Sequence, residues 1–154
     1  MPLVSLSDWN QFFKKNPHGH FLQTGEWGEL KTAFGWEPYR FISNDTGVQL
    51  LMRKLPLGFT LAYIPKSSPD GCKSLMVEID SLCRTKNSIL LKFEPDAWST
   101  SVGGASPDSA SPFKDFRFSP HAIQPPRTIV VDLHGSEEEI LNRMKQKCRY
   151  NIRM

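Results

Sequence analysis

Two apolar runs separated by a short turn constrain the fold of this chain more than any other feature. The runs are WEPYRFI, at residues 36–42, and VQLLMRKL, at residues 48–55. Between them lies SNDTG, a pentapeptide made of residues that favour turns. Two such runs on either side of a turn are typical of a β-hairpin, so the sequence predicts two antiparallel strands here.

A strand, a helix and a further strand are predicted directly after this hairpin. FTLAYIPK, at 59–66, reads as a third strand, and SILLKFEP, at 88–95, reads as a short buried one. Between them, residues 70–85 have the apolar spacing of an amphipathic helix that packs on a sheet; its apolar positions are Leu75, Met76, Ile79, Leu82 and Cys83. Strands combined with a packed helix in this order predict an α/β layer arrangement.

Two helices are predicted before the hairpin. In the first, SDWNQFFKKN, either Ser7 or Asp8 is expected to cap the helix, and the aromatic residues share one face. In the second, Thr24 is expected to cap GEWGELKTAF, and Gly35 is expected to end it in a left-handed conformation. The buried stripe of this second helix is predicted to be Trp27, Leu30 and Phe34, with Lys31 beside it.

The last third of the sequence is less regular. Residues 96–112 are rich in Ser, Gly, Pro and Ala and show no period, which predicts a mobile loop or insertion. Two strands are expected after it, AIQ at 122–124 and TIVVDL at 128–133, separated by a Pro-Pro pair that cannot donate to a ladder. Ser136 and Glu139 have the spacing of a capping box and predict the start of a final helix.

Composition indicates a globular protein, and the distribution of charge is more informative than its sum. The net charge of the 154 residues is only +3, whereas residues 143–153 hold five cations and no acid. No apolar run approaches the roughly 20 residues of a membrane span, and the N-terminus lacks the order of a signal peptide. A cytoplasmic location is therefore expected.

Neither cysteine nor histidine forms a pattern that predicts a metal site or a disulfide framework. The three cysteines are odd in number and lack CxxC spacing, so they are interpreted as reduced thiols. The four histidines are scattered, with no helical pair at metal-ligand spacing. Cys148 lies among Lys and Arg, but no His or Asn motif accompanies it, and we interpret it as a small residue on a helix face.

Five segments, taken in order, resemble the N-terminal half of the Fem family of peptidoglycan-bridge aminoacyltransferases, the lipid II glycyltransferases. The segments are HFLQTGEWGELK, GWEPYRF, LLMRKLPLGFTLAYIPKSSP, LLKFEPD and HAIQPPRTIVVDLHGSEEEILNRMKQKCRYNIR. The resemblance implies a GNAT-like acyltransferase fold, a mixed and mostly antiparallel sheet flanked by helices. It also implies a first GNAT-like domain at 1–134 and a basic helix at 135–154 that leads into a second domain.

The resemblance implies transfer of an amino acid from aminoacyl-tRNA to the peptide stem of a peptidoglycan precursor, either lipid II or a nucleotide-linked muropeptide. Aminoacyl-tRNA would be the donor substrate, and no cofactor is implied. In the family, most acceptor contacts lie in the second half. The 154 residues are therefore expected to be inactive alone. A second copy of the chain or a separately encoded second half is a possible partner.

Candidate site residues follow from the same resemblance, and no catalytic residue is assigned. Lys31 matches a family lysine thought to bind the phosphate-bearing or otherwise anionic acceptor. Lys66 ends the third strand where a groove could begin, although the family continues with Gly-Pro and this chain has SSP. A basic cluster suits phosphate contact with tRNA or with anionic headgroups at the inner membrane surface; it consists of Arg143, Lys145, Lys147, Arg149 and Arg153.

Two other functional classes stay open at this point. The chain could be a non-catalytic binding or interaction module with the same fold. It could also be a stand-alone acyl-CoA N-acyltransferase, but no glycine-rich loop that could cradle a pyrophosphate opens a helix in this sequence.

Overall fold

Helices and strands follow one another largely in the order that the sequence predicts. The computed structural model describes residues 3–96, 116–117, 119, 121–125 and 132–153, without the side chain of the last of these. Its elements are α1 (Leu6–Lys15), α2 (Gly25–Thr32), β1 (Trp36–Ser43), β2 (Thr46–Lys54), β3 (Thr60–Ser67), α3 (Pro69–Ser74), α4 (Met76–Thr85), β4 (Ser88–Pro95), α5 (Glu137–Arg143) and α6 (Gln146–Arg153).

The predicted hairpin forms the first half of a four-stranded sheet. Strands β1 and β2 pair antiparallel from Trp36 opposite Arg53 to Ser43 opposite Thr46. Asn44 lies in the turn with a φ of 53°, a left-handed conformation that Asn tolerates better than most residues. The prediction of a hairpin is confirmed.

The remaining strands make the sheet mixed. Strand β3 pairs antiparallel with β2, and β4 pairs parallel with β3, which gives the order β1-β2-β3-β4. A parallel neighbour needs a long crossover, and α3 with α4 supplies it. The predicted fold class, a mixed and mostly antiparallel sheet flanked by helices, is confirmed.

The core lies between the crossover helices and one face of the sheet. Apolar side chains of β1, β2 and β3 meet those of α3, α4 and the residue between them; the buried members are Phe41, Val48, Leu50, Met52, Ala62, Ile64, Cys72, Leu75, Ile79, Leu82 and Cys83. The predicted amphipathic helix is therefore found, but as two helices. Leu75 leaves helical geometry (φ −105°, ψ 10°) where its side chain is fully buried.

Helix α1 packs on the face of β1 and β2 that points away from the core. It begins earlier than predicted. Its N-cap is Ser5, whose hydroxyl accepts from the backbone N–H of Asp8, so neither Ser7 nor Asp8 is the cap. Trp9 is the buried residue of this helix, and its indole N–H donates to the carbonyl of Gln23 at 2.9 Å.

The predicted buried stripe of α2 is wrong. Phe34 and Leu30 are more than half exposed, and Trp27 is only half-buried. Instead, the glycines of α2 face inward, and Gly28 lies close to the buried side chains of Arg40 and Gln49 on the sheet. The helix can lie this close because glycine has no side chain, and its apolar residues consequently point outward.

The predicted strand AIQ is absent among the described residues. Ile123 and Gln124 adopt bends, and their backbone N–H groups donate to the carboxylate of Glu94 instead of to a strand. The predicted loop beyond residue 96 and residues 128–131 of TIVVDL lie outside the described residues.

The final helix begins as predicted and then breaks. The capping box of Ser136 and Glu139 is present at the start of α5. Met144 has an extended ψ of 152° and separates α5 from α6, although the sequence predicts one helix. The chain divides into two compact units, Met1–Gln124 and Pro125–Met154, and each is described by itself below. The domain boundary expected after residue 134 stays a prediction.

Candidate functional site

A groove of about 370 Å³ opens beside the C-terminal ends of β3 and β4 in the first unit. Aromatic residues of α1 form one wall, the turn between β1 and β2 forms another, and Lys66, Ser67 and Asp96 line the side nearest the sheet. This volume falls within the usual range of small-ligand pockets.

The carboxamide of Gln23 holds together the two strands beneath this groove. Its Oε1 accepts from the N–H of Gln49 at 2.7 Å, and its Nε2 donates to the carbonyls of Gln49 and Pro65. Proline has no N–H, so a normal ladder between β2 and β3 could not continue at this point. Gln23 replaces the lost backbone pairing with three hydrogen bonds of its own, and it is buried.

Lys66 occupies an irregular point of β3. Ile64 pairs with Phe93 and Ser67 pairs with Pro95, so two residues of β3 lie opposite one residue of β4. Within this bulge Lys66 has a φ of 40°, which lies in the left-handed region that residues other than Gly, Asn and Asp rarely adopt. Strain of this kind costs of order 1–3 kcal/mol and concentrates at functional sites.

Ser67, the next residue, carries a buried hydroxyl with no hydrogen-bond partner among the described residues. Its carbonyl is satisfied, because it accepts from the N–H of Asp96 at 2.9 Å. Buried polar side chains are nearly always paired, so an unpaired one on the wall of a groove is a candidate contact for a ligand.

His20 lines the groove and accepts a hydrogen bond there. Its Nδ1 accepts from the N–H of Leu22 at 3.1 Å, which places the proton of the neutral ring on Nε2. Burial lowers the pKa of His20, the Asp96 carboxylate opposes this shift, and Lys66 adds to it.

Charges of both signs line the groove. Lys15 and Lys66 supply two ammonium groups, and Asp45 and Asp96 supply two carboxylates. Such a lining can hold a ligand that carries both a carboxylate and an amine, because each charged end finds a partner of opposite sign.

Lys31, the other predicted contact for the acceptor, does not line this groove. It lies in the last turn of α2, where its ammonium is 4.7 Å from the centre of the Trp27 ring and 5.9 Å from that of Phe34. The stacking is a cation–π arrangement, which holds the charge over an exposed aromatic surface.

The predicted basic cluster lies in the second unit. Arg143 is engaged there, with its guanidinium 3.0 Å from the Asp132 carboxylate and donating also to the carbonyl of His134. Hydrogen bonds from His134 and Arg143 lower the pKa of Asp132. By contrast, Lys145, Lys147 and Arg149 form no ion pair with another described residue. Their role, and that of Arg153, stays a prediction.

Sequence reasoning missed three members of the groove, Gln23, Ser67 and His20. Gln23 and His20 belong to the segment HFLQTGEWGELK, which carries part of the resemblance but no local signal of a groove. No local signal could have identified Gln23, since its partners lie 26 and 42 residues away.

Several further features of the described residues bear on function. No group of three or more His, Cys, Asp or Glu side chains in the described part of the chain could hold a metal ion. No helix among those residues is long and apolar enough to cross a membrane. The three cysteines are free; Cys72 and Cys83 are buried and Cys148 is exposed.

Comparison with known proteins places this geometry in context. No protein-family model matches the chain. Over 98% of its length it is 26% identical to the lipid II:glycine glycyltransferases of Staphylococcus aureus (strain MRSA252) and Staphylococcus haemolyticus (strain JCSC1435). The chain is homologous to lipid II:glycine glycyltransferases. It spans 40% of the length of these relatives.

A solved structure agrees with the sequence comparison. The crystal structure of FemX matches 61% of this chain at 25% identity, with a TM-score of 0.51, and the match covers 26% of the FemX chain. The resemblance to the Fem family and the fold that it implies are thus confirmed.

Proposed function

We propose that this chain forms part of an aminoacyltransferase of peptidoglycan bridge synthesis and contributes some of the contacts to the acceptor. The observation that carries the proposal is the homology to lipid II:glycine glycyltransferases over nearly the whole chain. The acceptor is the peptide stem of a peptidoglycan precursor, and the donor is an aminoacyl-tRNA. Because the chain spans 40% of its relatives' length, we expect these 154 residues to bind but not to catalyse transfer.

The charges of the groove suit a peptide stem. A stem offers carboxylates together with an acceptor amine, and the groove offers ammonium groups and carboxylates in turn. In this proposal Lys66 and the unpaired hydroxyl of Ser67 bind a stem carboxylate, and Asp96 binds the ammonium form of the amine. The aromatic wall of α1 packs on the aliphatic parts of the stem.

The chemistry of transfer explains why such positioning matters. The bound ammonium first loses a proton, and the free amine then attacks the ester carbonyl of the aminoacyl-tRNA. The C–O bond to the tRNA breaks, the departing oxygen takes up a proton as the nitrogen loses its second one, and an amide forms. Fixing the amine removes much of the entropic cost of bringing two large substrates together. Lys31, held over the ring of Trp27, would bind an anionic part of the acceptor away from the groove.

Replacement of Lys66 by glycine tests the groove directly. Glycine adopts a φ of 40° without strain, so Lys66→Gly should stabilise the fold by about 1 kcal/mol. The same variant loses the ammonium and should bind a nucleotide-linked muropeptide about tenfold more weakly. Calorimetric titration and urea unfolding measure the two effects.

The control variant is Lys73→Met, which removes a charge outside the groove and keeps the helix. Lys73→Gly would not serve, because this residue lies inside a helix. Lys73→Met should leave muropeptide affinity unchanged. Equal affinity of wild type and Lys66→Gly would refute the role of Lys66, and weaker binding by Lys73→Met would show a nonspecific charge effect.

The basic cluster of the second unit is the proposed contact with tRNA. Exchange of Lys145, Lys147 and Arg149 for Gln should weaken tRNA binding and reduce the slope of log affinity against log salt by about 2. Exchange of Lys14 and Lys15, in α1, serves as the control. Binding that responds neither to these exchanges nor to salt would contradict the proposal.

A further inference from the structure

We propose that one end of the sheet docks on the surface of an anionic lipid bilayer. This surface, which we call the hairpin end, consists of residues 33–37, 53–60 and 84–90. It lies at the connection between β2 and β3, away from the turn between β1 and β2. The topology brings these ranges together at the connection between β2 and β3. Trp36 pairs with Arg53, and the backbone N–H of Thr60 donates to the carbonyl of Asn87.

Large apolar side chains project from the hairpin end into solvent. Leu57, at the tip of the connection between β2 and β3, is 92% exposed, and Phe34 is 63% exposed. Phe59, Ile89 and Leu90 are also exposed. Several such side chains at one end of a small domain indicate an interaction site, since isolated exposed apolar residues are normal but clusters are not.

The backbone at the tip presents Leu57 outward at a cost. Its φ is 62°, and no Asn or Gly relieves the strain at this position. A tight turn at Pro56–Gly58 forms the tip, and the N–H of Leu55 donates to the carbonyl of Phe59 at 2.9 Å to close it. A leucine that is both strained and almost fully exposed has no role in packing the fold, which favours a role in binding.

Cations accompany the apolar side chains. The hairpin end holds Arg53, Lys54, Arg84 and Lys86 against a single acid, Glu37. Arg84 forms an ion pair with Asp80 of the preceding turn, and the ammonium of Lys86 lies 5.2 Å from the centre of the Tyr39 ring. Lys54 forms no ion pair with another described residue.

This combination fits a bilayer better than a folded protein. Projecting apolar side chains can enter the boundary between headgroups and acyl chains, while neighbouring Lys and Arg bind anionic headgroups. A convex tip such as that at Leu57 would need a matching socket on a protein, whereas a bilayer yields to it. Because no helix of the described residues can span a membrane, contact through this part of the chain would be peripheral.

Sedimentation with lipid vesicles tests the inference. The chain should bind vesicles of phosphatidylglycerol and phosphatidylcholine in equal parts, should bind phosphatidylcholine alone much more weakly, and should dissociate as salt is raised. Leu57→Gly relieves the backbone strain and removes the side chain, and it should weaken binding about fivefold. Lys54→Glu should weaken it about tenfold.

Two matched controls lie on the crossover helices. Val77, on α4, is 80% exposed, and Lys73, on α3, is exposed too. Val77→Ser and Lys73→Glu should leave vesicle binding unchanged. The emission of Leu57→Trp should shift further to the blue on binding than that of wild type, whose Trp36 lies on the same surface, whereas Val77→Trp should add no shift to that of wild type.

Any of three results would overturn the inference. These are no binding to the anionic vesicles, equal binding by wild type and Leu57→Gly, and an equal loss of binding in the control variants. The test is independent of the proposed function, since Lys66→Gly should lower muropeptide affinity and leave vesicle binding intact.

Discussion

Alanine at position 28 should destabilise this fold, although alanine favours helices. In an exposed helix, exchange of Gly for Ala stabilises by about 1 kcal/mol. Here a Cβ on Gly28 would lie 2.4 Å from Oε1 of Gln49 and 2.7 Å from Nη2 of Arg40. Neither neighbour can move freely, because that oxygen accepts from Nε of Arg40 at 2.9 Å and both side chains are buried.

The size of the destabilisation follows from the contacts that the new methyl group would disrupt. Overpacking of a well-packed interior costs about 1–3 kcal/mol. A lost hydrogen bond from a charged donor costs about 1.5–3 kcal/mol. After the gain in helix propensity, the free energy of unfolding should fall by about 2–4 kcal/mol for Gly28→Ala.

Urea unfolding followed by circular dichroism measures this change. Gly71→Ala is the matched control, because a Cβ there meets nothing closer than 3.7 Å and the residue is also buried within a helix. It should be neutral or stabilise by up to about 1 kcal/mol. A Gly28→Ala protein as stable as wild type would refute the close packing of α2 on Arg40 and Gln49.

Two further predictions concern cysteine and histidine. A thiol reagent should label Cys148 quickly and the other two cysteines slowly, because burial raises the pKa of Cys83 and raises that of Cys72 to about 12; two or three fast thiols would contradict this. The folded pKa of His20 lies below the ordinary value of 6.5, so the unfolded chain takes up its proton first. His20 therefore contributes fully to the free energy of unfolding above pH 6.5, and this contribution is lost as the pH falls below that value. In His20→Asn, whose side chain can still accept from the N–H of Leu22, the free energy of unfolding should depend less on pH between pH 7 and 5.

The sequence predicted those elements whose signals are local and strongly periodic. The hairpin, β3 and the amphipathic face of α4 follow from apolar spacing within a few residues. Strand β4 is found at the predicted residues, but the prediction that it is buried is wrong, because it lies at the edge of the sheet and has no buried residue. The breaks at Leu75 and Met144 could not be predicted in this way, because neither position carries the Gly or Pro that usually marks the end of a helix.

The error at α2 has a different origin. A prediction from apolar spacing assumes that the apolar face turns inward, but here the inward face is Gly28 against the buried Arg40 and Gln49. The polar pair is satisfied by its own hydrogen bonds and by Glu29, whose carboxylate lies 2.7 Å from the Arg40 guanidinium. Only the folded arrangement of β1 and β2 brings these partners together.

The groove was predictable only at one point. Lys66 was identified from its place at the end of a strand, although the chain departs from the family pattern directly after it. Its bulge, its left-handed backbone and the unpaired hydroxyl of Ser67 depend on the parallel pairing of β3 with β4. Gln23, which holds β2 to β3 below the groove, depends on contacts far apart in the sequence.

The central claim is that this chain binds the peptide stem of a peptidoglycan precursor in the groove. Nuclear magnetic resonance of the ¹⁵N-labelled chain, titrated with a nucleotide-linked muropeptide, tests it most directly. Saturable shifts should appear at the amides of Gly47, Ser67 and Gly71, which line the groove, and should be absent with the same sugar nucleotide lacking the stem. No shift at these amides at saturating muropeptide, or the same shifts without the stem, would contradict the account.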